Sequence, residues 1–114
     1  MVKLIKSKFA PLFKKFRLRS EIESLSKFGH ILAEEGLIYE NSIFSRWQKG
    51  QRIPNKRLVL LLILKVFVKN GGISSIKEAN QFLESADHGY LTKKEKDEIL
   101  KSINLSLSIS DELS

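Results

Sequence analysis

Asn41, Ser42, Ser45 and Arg46 lie within six residues of one another and offer hydrogen-bonding side chains with no acid among them. On a helix they share one side, while Ile43, Phe44 and Trp47, at i, i+1 and i+4, share the other. The chemistry on offer is non-covalent. An arginine takes both acceptors of a guanine edge, an asparagine fits an adenine edge, and serines make adaptable single hydrogen bonds. Downstream, Lys49, Gln51, Arg52, Lys56 and Arg57 have the reach and polarity to hold phosphates, which fixes register without reading sequence. Lys14 and Lys15 extend that track from an earlier helix. Trp47 has a base-stacking face, but its spacing from Ile43 and Phe44 makes it a core anchor. Gly50 supplies the left-handed residue that ends such a helix. A short helix with an apolar underside and an acid-free polar top suits the major groove of DNA.

The stretch Ser-x-x-Ser-Arg-Trp-x-x-Gly-x-Arg-x-Pro, from Ser42 to Pro54, resembles the recognition helix and following loop of the lambda-repressor-like (Cro-type) helix-turn-helix family. Trp47, Gly50, Arg52 and Pro54 carry the match, and the likeness covers residues 9 to 70. It implies that Asn41, Ser42, Ser45 and Arg46 face base edges. It also implies that Lys49 through Asn55 approach the phosphates, which adds Asn55 to that set. Members of the family bind double-stranded DNA as two-fold dimers, so a homodimer is the implied assembly, although no coiled-coil seam marks an interface. One departure is clear. The small residue of the first motif helix, Gly29, precedes the buried Phe44 by 15 positions, where about ten is usual for the motif. The turn at residues 34–40 is therefore longer by about five residues.

Catalytic and ligand-binding constellations are missing from the sequence. There is no cysteine, so disulfides and thiolate metal sites are excluded. His30 and His88 are too few and too far apart for a metal centre. Gly71-Gly72 lacks the spacing of a nucleotide loop, and no nucleophile stands near a base. The expectation is a non-enzyme with no metal, cofactor or small-molecule ligand.

Charge is distributed unevenly. The net +7 resolves into +7 over residues 1–20, −4 over 21–40, +7 over 41–69 and −3 over 70–114. Two blocks without acids flank an acidic segment, the pattern of one basic surface assembled from two pieces. The start is basic but has no continuous apolar core or cleavage site, and the expectation is a cytoplasmic protein. The longest apolar run, residues 58–64, is seven residues long, well short of the roughly 20 that a membrane span requires.

Elements able to position these residues follow from periodicity. Phe9, Leu12, Phe13 and Phe16 define a helix over 8–19, with Pro11 in its first turn. A second begins at Ser20 or Ser24 and buries Ile22, Leu25, Phe28 and Leu32; Gly29 within it marks a close helix approach, and Gly36 ends it. Leu37, Ile38 and Tyr39 are apolar enough to fold back on the core. The third helix covers 41–49. The fourth, capped by Asn55, runs to 69 and is apolar on nearly every side, so it should be central. Ser75 and Thr92 open two further helices, the second burying Ile99, Leu100 and Ile103. The predicted architecture is an all-α bundle of five to six helices containing a helix-turn-helix motif. It forms one domain over 1–103, with a helix-turn-helix core at 9–70 and a helical extension at 73–103. Residues 104–114 form a tail open to disorder, an edge strand or a dimer contact.

The function these expectations favour is DNA binding in transcriptional regulation. The rival is a protein-interaction or regulatory module of a larger protein, since helix-turn-helix folds serve both ends.

Overall fold

The computed structural model describes residues 8–113, with side chains through Ile103. Among them are six helices and no strand: α1 (Phe9–Arg19), α2 (Leu25–Glu34), α3 (Asn41–Gln48), α4 (Arg57–Lys69), α5 (Ile76–Ser85) and α6 (Lys93–Leu113). The fold is all-α, as the periodicities predict. Residues 104–113, expected to form a tail, continue α6 rather than an edge strand; their side chains and the residues before Lys8 lie outside the described part.

Helix starts follow local hydrogen-bonding chemistry. The Ser24 hydroxyl accepts from the Lys27 N–H and starts α2. Ser20, the alternative start, instead ends α1: its backbone N–H reaches the Phe16 carbonyl at 3.0 Å and its hydroxyl donates to the same oxygen at 2.7 Å. Ile22 is buried in the link between the two helices, outside any helical stripe. Ser75 accepts from Glu78 N–H to open α5. Thr92 and Glu95 form a reciprocal capping box at α6, each side chain bonded to the other's N–H at 3.2 and 2.9 Å. For α4 the expected Asn55 cap is not used; the boundary residue is Lys56, with no side-chain cap.

The core is unusually aromatic. Phe13 of α1 meets Phe28, Trp47 and Phe67 at ring-centroid distances of 5.1, 6.1 and 6.1 Å. Phe82 of α5 closes the far side against Phe9, Phe16 and Phe67. Many of these pairs are edge-on, the arrangement favoured by ring quadrupoles. Helix α4 contributes Leu60, Ile63, Leu64 and Phe67, all fully buried, and touches α2, α5 and α6. It is central as expected, except at its start, where Leu58 is 79% exposed.

Two glycines permit the tightest approaches. A Cβ on Gly29 would sit 2.9 Å from the Phe44 ring and 3.1 Å from the Asn41 side chain, so α2 and α3 meet where the sequence predicts. A Cβ on Gly72 would sit 2.0 Å from the Ser20 hydroxyl and 2.5 Å from the Phe16 carbonyl. The turn after α4 therefore lies directly on the end of α1.

Helices α5 and α6 are fastened to this body through Arg57. Its guanidinium bonds Glu95 through Nε at 3.1 Å and Nη2 at 2.7 Å, and donates to the Gly89 and Tyr90 carbonyls at 3.1 and 3.0 Å. The hydrogen bond from Arg57 holds the Glu95 carboxyl down at about 2. Ile99 and Ile103 are buried beneath this seam, while Leu100, expected to be buried with them, is exposed.

Candidate functional site

Helix α3 is bolted down by two residues. Phe44 is fully buried and meets Phe28 edge-on at 5.3 Å. Trp47 is 3% exposed, meeting Phe13, Tyr39 and Phe44 at 6.1, 6.0 and 5.3 Å. Trp47 is thus a wall of the core rather than a stacking platform. Gly50, at φ +77°, ends the helix, and Gln51 N–H closes back on the Arg46 carbonyl at 2.9 Å.

The quartet emerges from the other side, unevenly. Ser42 and Arg46, one turn apart, are exposed, and so is Asn41. Asn41 lies over Gly29, along the flank of α2. Ser45 is half-buried and less available than its neighbours. The Ser42 hydroxyl leans toward the carboxylate of Glu40, 3.4 Å away. Glu40 immediately precedes the helix, where a negative charge complements the N-terminal dipole. Among the described residues it is the one acid hydrogen-bonded to the quartet.

Ion pairing sorts the cations sharply. Of the seven basic residues in 41–69, Lys65 and Lys69 both engage Glu35, at 3.7 and 3.2 Å, and Arg57 engages Glu95. Arg57, expected on phosphates, commits four of its five N–H donors to Glu95 and the Gly89 and Tyr90 carbonyls. Arg46, Lys49, Arg52 and Lys56 have no side-chain hydrogen bond or ion pair among the described residues. They are exposed, with Gln51 and Asn55 between them. Within residues 41–69 the unpaired cations are therefore those of α3 and the loop that follows.

The α1 lysines divide as well. Lys14 falls at i+4 from Ala10, and Arg17 at i+7, on the strip of α1 that faces α3. That placement is fixed by Gln48, whose amide donates to the Ala10 carbonyl at 3.4 Å and accepts from Arg17 at 3.3 Å. Lys15 lies on the opposite strip with Arg19, whose guanidinium pairs with Glu78 at 2.8 Å. Lys14 extends the α3 surface; Lys15 belongs to the α5 side.

Arg17 stands in a run of solvated basic residues, Lys14, Lys15 and Arg19, yet points inward. It is only 6% exposed, donates to the Ile22 carbonyl at 2.7 Å and leaves its Nε without a partner. Burial lowers its pKa, and neither of its acceptors is an acid. Its i+4 spacing from Phe13 was the available signal, masked by the neighbouring basic residues.

Beside α3 lies a groove of about 270 Å³, lined by Tyr39, Ile43, Trp47 and Val59 on its walls and by Arg52, Ile53 and Lys56 on its rim. Leu37 and Tyr39 do fold back on the core, but Ile38 between them is 81% exposed. Among the described residues no group of histidines or acids is arranged to hold a metal, and no helix is long and apolar enough to cross a membrane. Comparison with protein-family models, curated proteins and solved structures found no match.

Proposed function

We propose that the chain is a DNA-binding protein of the helix-turn-helix type acting in transcriptional regulation, with α3 in the major groove. The observation that carries this is the sorting of charge: cations elsewhere on the 41–69 segment are neutralised by Glu35 and Glu95, while Arg46, Lys49, Arg52 and Lys56 are left unpaired around one rigid helix. An unpaired cation cluster beside a protruding polar helix is the electrostatic footprint of a duplex site. The resemblance of residues 42–54 to the lambda-repressor-like motif supports the same reading, as does the Gly29–Phe44 contact between α2 and α3.

In this arrangement Arg46 takes a guanine edge, Asn41 and Ser42 contact adjacent bases, and Ser45 contributes from a recessed position. Lys49, Gln51, Arg52, Asn55 and Lys56 hold the phosphates, with Lys14 continuing the track on α1. The assembly on DNA is a homodimer on paired half-sites, as in the family it resembles. Selection of bound fragments from a random duplex library tests the proposal directly. Enrichment of a short motif, lost in Arg46→Ala, is the expected outcome; recovery of fragments no different from the input library would sink it.

A further inference from the structure

The groove beside α3 has a composition that phosphate binding does not use. Its walls are Tyr39, Ile43, Trp47 and Val59, with Pro54 at one end. Ile53 stands 37% exposed at the rim. An exposed aliphatic at the mouth of an aromatic-walled cleft is a feature of the kind that marks an interaction site. The rim is cationic: Arg52 and Lys56 line it and have no partner among the described residues. The acids closest in the fold to α4, Glu35 and Glu95, are already committed to Lys65, Lys69 and Arg57.

We propose that this groove receives an acidic, apolar-rich segment of a partner protein. Apolar side chains of the segment enter between Tyr39, Trp47 and Val59, and its carboxylates meet Arg52 and Lys56. Charge complementarity selects the occupant. A free phosphate or nucleic-acid backbone leaves the aromatic walls and Ile53 without a role, whereas a neutral apolar segment leaves both cations unanswered. Apolar walls with a cationic rim are the features that an acidic amphipathic helix laid into a groove would match. Arg52 and Lys56 serve in the proposed DNA site too, so the segment and the duplex compete for them. The docking itself does not depend on that site.

A fluorescein-labelled helical peptide of about 15 residues, with leucines at i, i+3, i+4 and i+7 and glutamates elsewhere, is the probe. Trp47 is the only tryptophan in the chain and forms a groove wall, so its emission reports occupancy independently of the label. Saturable binding with a change in Trp47 emission is expected. Affinity should fall roughly tenfold in Ile53→Ser and in an Arg52→Gln/Lys56→Gln double variant, since each removes one contact class. Ile53 is exposed, so its serine variant keeps the fold, and it does not belong to the proposed duplex contacts. Equal affinity for a peptide with serine in place of leucine would reduce the effect to bulk charge attraction and overturn the proposal. So would self-association lost in Ile53→Ser without peptide binding, which would assign the groove to a second copy of the chain. Random duplex titrated against the same variants separates the two readings: failure of DNA binding with intact peptide binding removes only the former.

Discussion

Two stretches of basic residues adjoin in the chain and are put to opposite uses. Arg46, Lys49, Arg52 and Lys56 stand around α3 with no partner among the described residues, whereas Arg57, one residue further on, spends four hydrogen bonds on α6 and its preceding turn. The difference lies in what surrounds each residue, since arginines stand in both groups. At Arg57 a carboxylate and two carbonyls converge, and the guanidinium stabilises the body of the protein. Around α3 no carboxylate converges, so that charge costs self-repulsion and returns nothing to folding. Charge kept at a loss to stability is charge available to a ligand.

That contrast breaks first at the anchors. Trp47→Ala removes a wall shared by α1, α3 and the Tyr39 turn and should destabilise by about 3–5 kcal/mol. A denaturant titration showing a loss near zero would mean that α3 is not held by the core. Gly72→Ala tests the other side of the molecule, where the Ser20 hydroxyl and Phe16 carbonyl occupy the space a methyl needs. We expect about 3 kcal/mol from the forced separation of α1 and the α4–α5 turn. Normal thermal stability in this variant would show that the turn is free to lift away.

The seam between α4 and α6 gives the next effect. Arg57→Ala leaves Glu95 and two carbonyls without their donor, at about 2 kcal/mol. It should also change the acid profile. With its carboxyl held at about 2 against an ordinary 4.5, Glu95 contributes stability that is complete above pH 4.5 and lost as pH falls toward 2. Without Arg57 that part of the pH dependence should flatten. An unchanged melting profile between neutral and strongly acidic pH, in variant and parent alike, would contradict the seam.

The smallest effects on folding, and the sharpest on function, belong to α3. Arg46→Ala and Arg52→Ala should melt within roughly 0.5 kcal/mol of the parent, because neither side chain has a partner to lose. On DNA they should differ from each other. Arg46→Ala relaxes discrimination at one base pair by about 1–3 kcal/mol. Arg52→Ala weakens all sequences alike and lowers the salt dependence by about one unit. Identical behaviour of the two in gel shifts at several salt concentrations would erase the division between base and phosphate contacts.

Much of the frame was legible from periodicity, because a helix writes its buried stripe locally. The α1, α3 and α5 boundaries, the Gly50 stop and the Gly29–Phe44 approach all follow from spacing within a few turns. What failed to show depends on partners distant in sequence. Arg57 meets Glu95 across 38 positions, and nothing in a basic run marks the member that a fold will consume. Arg17 looked solvated because its neighbours are, yet the crossing of α3 over α1 buries it against Gln48. Ile38 carries as strong an apolar signal as Leu37 and Tyr39, but in an extended turn successive side chains alternate, so one of the three must point outward. Ser20 and Ser24 offered equally good caps, and the buried turn against Gly72 decided between them. The polar side of α3 was legible from spacing, although the recess of Ser45 and the nearness of Glu40 to Ser42 needed three dimensions.

The absence of an acid beside Arg17 has a further effect. The joint between α1 and α3 is made by the Gln48 amide with the Ala10 carbonyl and Arg17, none of which takes up a proton in ordinary acid, while the joint between α4 and α6 depends on a carboxylate. Acidification therefore weakens the seam that holds the C-terminal helix and leaves the hydrogen bonds between α1 and α3 in place.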